Sequence, residues 1–202
     1  MRVWERSCAN PATTSTAWRA IAAPLARESV PDMSPIYLIE GPVGAGKSTF
    51  AQSLATRLPG THIALDEWFA KLFSPDRPGQ DVVTWYLQRK DRLLNVIWTH
   101  AAAMARAGQA PILELGLIQR QARYDLYARA RDAGITLEVY VLDAAPDVRR
   151  QRVRQRNEQR GSTFSMVVPD HVFELASSMW QAPDRDEIAE LNATVLTTDA
   201  PG

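Results

Sequence analysis

The chain has almost no cysteine: Cys8 stands alone among 202 residues, so an intrachain disulfide is excluded and a reducing compartment, the cytoplasm, is the expected setting. Histidine is nearly as sparse. His62, His100 and His171 are too scattered to give a metal-ligand spacing. Net charge is missing too, since 23 basic residues meet 23 acidic ones, and with it goes any general attraction to nucleic acid or an anionic membrane. A polyanion must then be held locally. No run approaches the ~18 apolar residues of a membrane-spanning helix, and residues 1–32 lack the compact apolar core of a secretory signal. What the chain does have is 46% apolar residues with both signs of charge interspersed, enough at this length for one globular domain with its own core.

Residues 1–32 carry Pro11, Pro24, Pro31 and a Ser/Thr cluster from Thr13 to Thr16. They predict a loosely ordered extension ahead of Met33-Ser34-Pro35 and a domain spanning 33–202. From Ile36 onward, short apolar runs alternate with helical patterns. The runs predict strands at 36–40, 62–65, 111–115, 137–142 and 194–197, and the patterns predict helices over about 47–58, 67–73, 81–107, 119–133, 146–159 and 170–180. This alternation implies a three-layer α/β fold with a central, mostly parallel five-stranded sheet. In the longest helix, Val82, Val83, Tyr86, Leu87, Leu94, Ile97, Trp98, Ala101 and Ala105 recur at three- and four-residue steps, predicting one buried face along its length. Gly108 and Gly134 read as helix C-caps.

The first strand runs directly into Gly41-Pro42-Val43-Gly44-Ala45-Gly46-Lys47-Ser48-Thr49. In the spacing G-x-x-x-x-G-K-S, glycines let the backbone curl until its N–H groups face a β-phosphate, and the lysine reaches the β and γ oxygens. Ser48 falls on the first turn of the following helix, where its hydroxyl can ligate Mg²⁺ and the helix N-terminus favours an anion. This is a P-loop, so residues 41–49 are the expected ATP·Mg²⁺ site of a P-loop NTPase fold. Two absences narrow its use. No Asn/Thr-Lys-x-Asp guanine motif follows a strand, as a GTPase switch requires, and no Leu-Ser-Gly-Gly-Gln helix marks a transport ATPase.

Asp66 follows the second strand and so shares the carboxyl edge of the sheet with the P-loop. A carboxylate there can take the proton of a hydroxyl that attacks the γ-phosphate; Glu67 is an alternative base, and a helix cap is an alternative use of Asp66. Glu114 ends the third strand, where an acid organises Mg²⁺ or orients substrate, since an unpartnered charge in an apolar strand is costly. Arg149, Arg152, Arg156 and Arg160 share one face of the helix introduced by Pro146, and form an Arg-rich lid able to stabilise transferring charge, with Gly161-Ser162 as its hinge. Trp68, Arg89, Arg120 and Arg123 are candidates for an acceptor pocket, together with Phe69, Trp85 and Tyr86.

With this P-loop, Asp66 after strand two, an acid-ended strand three followed by Arg123, and Leu142-Asp-Ala-Ala-Pro-Asp-Val with Arg152 and Arg156 beyond, the chain resembles the zeta-toxin and chloramphenicol-phosphotransferase-like P-loop kinases over about 35–199. The resemblance implies that Lys47 and Ser48 handle ATP·Mg²⁺, that Asp66 is the acceptor base, that Arg152 and Arg156 are lid arginines, and that Asp184 to Glu187 form an adenine-side loop. It further implies γ-phosphate transfer to a hydroxyl of a small molecule, such as an antibiotic, a sugar or a nucleotide-sugar. A glutamate at 114 departs from the usual aspartate and leaves direct metal ligation open. Ile39-Glu40-Gly41 also resembles nucleoside and nucleotide kinases, although the Asp-Arg pair after their third strand is missing. A polynucleotide 5′-hydroxyl kinase would want a basic channel, and a regulatory ATPase would have no acceptor at all.

Overall fold

A computed structural model describes residues 32–199; the extension expected at 1–32 lies, but for Asp32, outside the described residues. Five strands form one sheet: β1 (Ile36–Glu40), β2 (Thr61–Ala64), β3 (Pro111–Glu114), β4 (Leu137–Asp143) and β5 (Thr194–Thr197). Their order is β2-β3-β1-β4-β5 and every pairing is parallel. Parallel neighbours need crossovers, which helices supply: α1 (Lys47–Arg57), α2 (Leu65–Leu72), α3 (Val82–Arg106), α4 (Arg120–Asp132), α5 (Pro146–Gln159), α6 (Asp170–Met179) and α7 (Arg185–Glu190). The expected three-layer P-loop fold is what the chain adopts, and its sheet is wholly parallel.

The layers follow from period-two alternation along buried strands. Ile36 and Leu38 of β1, Leu113 of β3, and Val139 and Val141 of β4 join the core built with α3 and α4. Ile39, Ile112 and Leu142, one position out of phase, pack with Ala51 and Leu54 of α1. Helix α4 ends as its glycine foretold: Gly134 has φ 67° and donates to Arg131, while Ile135 donates to Ala130, a Schellman closure.

The long helix departs from expectation. Its buried positions are Leu93, Ile97, Ala101, Ala102, Met104 and Ala105, whereas Val83 is 72% and Leu87 51% exposed. At 25 residues the helix is about 37 Å long, far longer than β1 and β3 on which it packs, so its first three turns overrun the sheet. There it meets α2, where Phe69 packs against Trp85 and Tyr86 at ring-centroid separations of 5.6 and 4.8 Å. The second strand also ends one residue earlier than expected, and a helix at 185–190 went unforeseen.

Candidate active site

The loop after β1 holds its shape through three glycines in the left-handed region: Gly41 (φ 140°), Gly44 (φ 82°) and Gly46 (φ 90°). At Gly44 a side chain is excluded by space as well as by torsion, since a Cβ would lie 2.6 Å from the Arg149 carbonyl oxygen at the start of α5. The loop thus rests on α5. Arg149, expected on a lid face, is the buried strut beneath it: Nη1 donates to Val43 O at 3.1 Å and Ser177 Oγ at 3.1 Å, and Nε to Ala144 O at 3.0 Å. Gly44→Ala is therefore expected to lower stability by roughly 1–3 kcal/mol, the usual cost of a strained backbone region, and urea melts compared with wild type measure it.

Lys47 Nζ donates to Pro42 O at 2.8 Å, which folds the lysine back along its own loop. Burial pushes this ammonium below its ordinary range, and Glu114 and Asp66 pull it partly back. Ser48 Oγ donates to Glu114 Oε1 at 3.0 Å, and the other carboxylate oxygen, Oε2, lies 3.3 Å from His62 Nε2. Burial raises the Glu114 pKa, but His62, Lys47 and Ser48 together outweigh it and hold the carboxyl below its ordinary range.

Asp66 sits in the first turn of α2, after the N-cap Ala64, and its side chain makes no capping hydrogen bond. The side chain is therefore not spent on a cap. The residue is exposed by area, but its carboxyl is desolvated by its surroundings, which, with Glu114, push its pKa up against the pull of Lys47, Lys90 and Arg156. Arg156 comes to the same place from α5. Among the described residues its buried Nε has no hydrogen-bond partner, although Asp66 and Glu114 both act on its charge. A buried, unfilled guanidinium donor is costly and fits a ligand oxygen.

The other α5 arginines separate by role. Arg152 donates through Nη1 to Thr198 Oγ1 at 3.0 Å and through Nη2 to the Thr198 carbonyl, while Thr198 Oγ1 bonds Ala45 O at 3.0 Å. This ties the segment after β5 to the P-loop. Arg150 and Arg154 pair with Glu174 and Asp170 of α6. Arg160 lies beyond the helix in a left-handed conformation (φ 48°), so the chain turns there, one residue before the expected Gly161 hinge. Beyond it, residues 162–165 face Ser48, Gln52, His62, Glu67 and Lys71 across a cleft of about 220 Å³.

The candidate acceptor residues do not gather in one pocket. Trp68 packs on the core. Arg89 stacks on Trp85 at 4.6 Å, and Arg120 pairs with Asp184 at 2.7 Å. Arg123 is fully buried, with Nε and Nη2 on the two oxygens of Glu187 at 2.6 and 2.9 Å. The adenine-side loop expected at 184–187 is instead a helix start: Asp184 accepts from the Glu187 backbone N–H at 2.9 Å and turns the Glu187 side chain inward. One residue near Asp66 was missed, Lys90, and it stands beside Tyr86, already an acceptor-pocket candidate. Lys90, half-buried on α3, and Tyr86 one turn before it both feel the Asp66 charge; an i,i+4 pair on that helix was the signal.

Arg123 also joins a buried quartet with Glu40, the residue before the P-loop. Tyr127 Oη lies 3.0 and 3.1 Å from the Glu40 oxygens and 3.2 Å from Glu187 Oε1. One hydroxyl hydrogen cannot serve two carboxylates. Protonation of Glu40 eases the conflict by removing one of the two competing negative charges. Accordingly burial pushes Glu40 up to about 8 from an ordinary 4.5, against the pull of Arg123 and Tyr127. A carboxyl with a raised folded pKa contributes stability that is complete below its unfolded pKa and is lost as pH rises through the folded value. Urea midpoints are therefore expected to fall as pH is raised from about 5 to about 9, and Glu40→Gln to flatten that slope.

A β-strand handing over to a glycine loop, a Lys-Ser pair at the following helix and an all-parallel five-stranded sheet define a P-loop NTPase fold. Within it the chain belongs to the family described as an AAA domain, whose model matches residues 36–183. Several solved structures share the fold at low identity. A candidate kinase from Chloroflexus aurantiacus J-10-fl is 21% identical, with 83% of this chain and 86% of that one covered and a TM-score of 0.62. A gluconokinase from Sinorhizobium meliloti 1021 is 15% identical over 85% and 86% of the two chains, TM-score 0.56. Kti12 from Chaetomium thermophilum, solved with ADP-AlF3, is 16% identical over 82% and 90%, TM-score 0.60. No curated protein matches the chain, and among the described residues no helix is long and apolar enough to cross a membrane.

Proposed function

We propose that the protein is an ATP-dependent kinase, of the zeta-toxin and chloramphenicol-phosphotransferase-like kind, that moves the γ-phosphate of ATP to a hydroxyl of a small molecule. The observation that carries this reading is Asp66: a carboxylate on the P-loop edge of the sheet, in the combined field of Lys47, Glu114 and Arg156, that is not used as a helix cap. A nucleotide switch has no need of a base there.

In this reading the backbone of residues 41–46 cradles the β-phosphate, and Lys47 leaves Pro42 O for the β and γ oxygens. The donor set suits Mg²⁺. Among the described residues no group of three or more acidic, histidine or cysteine side chains could hold an ion alone, whereas the Ser48 hydroxyl backed by Glu114 is hard oxygen chemistry that shares a metal with phosphates. When bound, the metal neutralises charge on the phosphates. Asp66 takes the proton of the attacking hydroxyl, and Arg156 turns its unfilled donor to the transferring group. A gluconokinase and a sugar kinase among the fold neighbours are compatible with a small-molecule hydroxyl acceptor.

The decisive test is ATP turnover with and without a library of antibiotics, nucleosides and sugar derivatives, read by mass spectrometry of phosphorylated products. A product identifies the acceptor class. Turnover that no acceptor stimulates, with ADP and inorganic phosphate alone, favours a regulatory ATPase and overturns the kinase reading.

A further inference from the structure

Of the three histidines, His100 and His171 lie exposed on helices, while His62 is inside the site. The sheet brings it there. In the β2–β3 register Ala64 stands opposite Glu114, and His62, two residues earlier, points to the same face of the sheet. A diagonal neighbour of this kind is within reach of long side chains, and His62 Nε2 lies 3.3 Å from Glu114 Oε2. The two side chains are only 13% and 14% exposed.

Glutamate at the end of β3 has one more rotatable bond than aspartate and swings more freely. Here each of its oxygens has its own donor, Ser48 Oγ on Oε1 and His62 on Oε2. A carboxylate only accepts, so with Ser48 Oγ on Oε1 and His62 Nε2 on Oε2 the arrangement assigns the His62 hydrogen to Nε2 and the Ser48 hydroxyl hydrogen to Oε1. The lone pairs of Ser48 are thereby left for a metal ion on the phosphate side. Releasing either oxygen of Glu114 frees the carboxylate to rotate and lets the serine hydroxyl turn with it.

We infer that His62 is a positioning residue for the metal–nucleotide site: by clamping Glu114 it fixes the orientation of the Ser48 hydroxyl. The inference rests on the ATP·Mg²⁺ reading of the P-loop and is independent of the acceptor. Outer partners that orient metal-site side chains typically contribute about 10–100-fold to metal affinity.

The test uses Mn²⁺ as the probe. Its affinity for the protein–ATP complex is followed by electron paramagnetic resonance in wild type, His62→Ala and His62→Gln, with ATP affinity in EDTA and melting temperature measured on the same proteins. His62→Ala is expected to weaken Mn²⁺ by about tenfold or more and leave metal-free ATP affinity unchanged. His62→Gln, whose amide N–H can replace Nε2–H, is expected to restore most of the loss. Wild-type Mn²⁺ affinity in His62→Ala overturns the inference. So does a His62→Gln protein as weak as His62→Ala with an equally lowered melting temperature, since that pattern belongs to a merely structural histidine. A wild-type protein that binds no ATP, with or without metal, fails the nucleotide reading itself.

Discussion

Lys47→Ala is expected to lower phosphoryl transfer by about 10²–10³-fold, the cost of removing one preorganised charge contact, while the fold survives. Among the described residues the lysine makes one hydrogen bond, to Pro42 O in its own loop, and its ammonium is held there against the preference of a desolvated charge. Losing it relieves that penalty, so the melting temperature is expected to stay level or rise. ATP affinity should fall with turnover, because the amine meets the β and γ oxygens in the bound state as well as in transfer. Parallel measurement of turnover, nucleotide affinity and circular dichroism separates these effects. A fully active Lys47→Ala protein removes the P-loop kinase reading.

What was legible in the sequence is what local chemistry dictates. Gly41, Gly44 and Gly46 needed no tertiary knowledge, since a loop that curls around phosphate needs positive φ and the motif supplies glycine where the backbone has it. Asp66 and Glu114 were legible as acids at strand ends. The buried face of α3 was read too far because Val83 and Leu87 keep the helical period after the sheet beneath them has ended. Arg123 looked like a pocket residue for a different reason: its partner Glu187 is 64 residues away, and Tyr127 meets Glu40 across 87. Nothing short-range announces such a quartet. His62 was invisible on the same ground, because a strand register, unlike a motif, is fixed only when the sheet assembles.

The α5 arginines carry this point into function. Periodicity put Arg149, Arg152 and Arg156 on one face of one helix, and the fold then gave each a different task by what lies opposite. Arg149 meets carbonyls and is buried under the P-loop, Arg152 meets the segment after β5, and only Arg156 brings an unfilled donor beside Asp66 and Glu114. Shared face and shared charge do not make a shared role.

Asp66→Asn is expected to have the largest effect on chemistry: kcat lower by roughly 10²–10⁴-fold with ATP affinity little changed, as for loss of a general base. The amide preserves size but cannot take a proton near neutral pH. Because Asp66 makes no capping hydrogen bond, the substitution removes no stabilising contact. It also takes away a carboxylate whose ionised form is disfavoured by desolvation and by Glu114, so stability should be level or slightly higher. The same raised pKa fixes the sign of the pH dependence. A base must be ionised to act, so the acid limb of kcat/KM in the wild type should lie above the ordinary aspartate range, and transfer should fall as pH drops through it. In Asp66→Asn that limb should vanish together with most of the rate. If the mutant transfers phosphate at the wild-type rate with the acid limb intact, the base is Glu67 or Glu114, and Asp66 serves only to hold Lys47 and Arg156 in place.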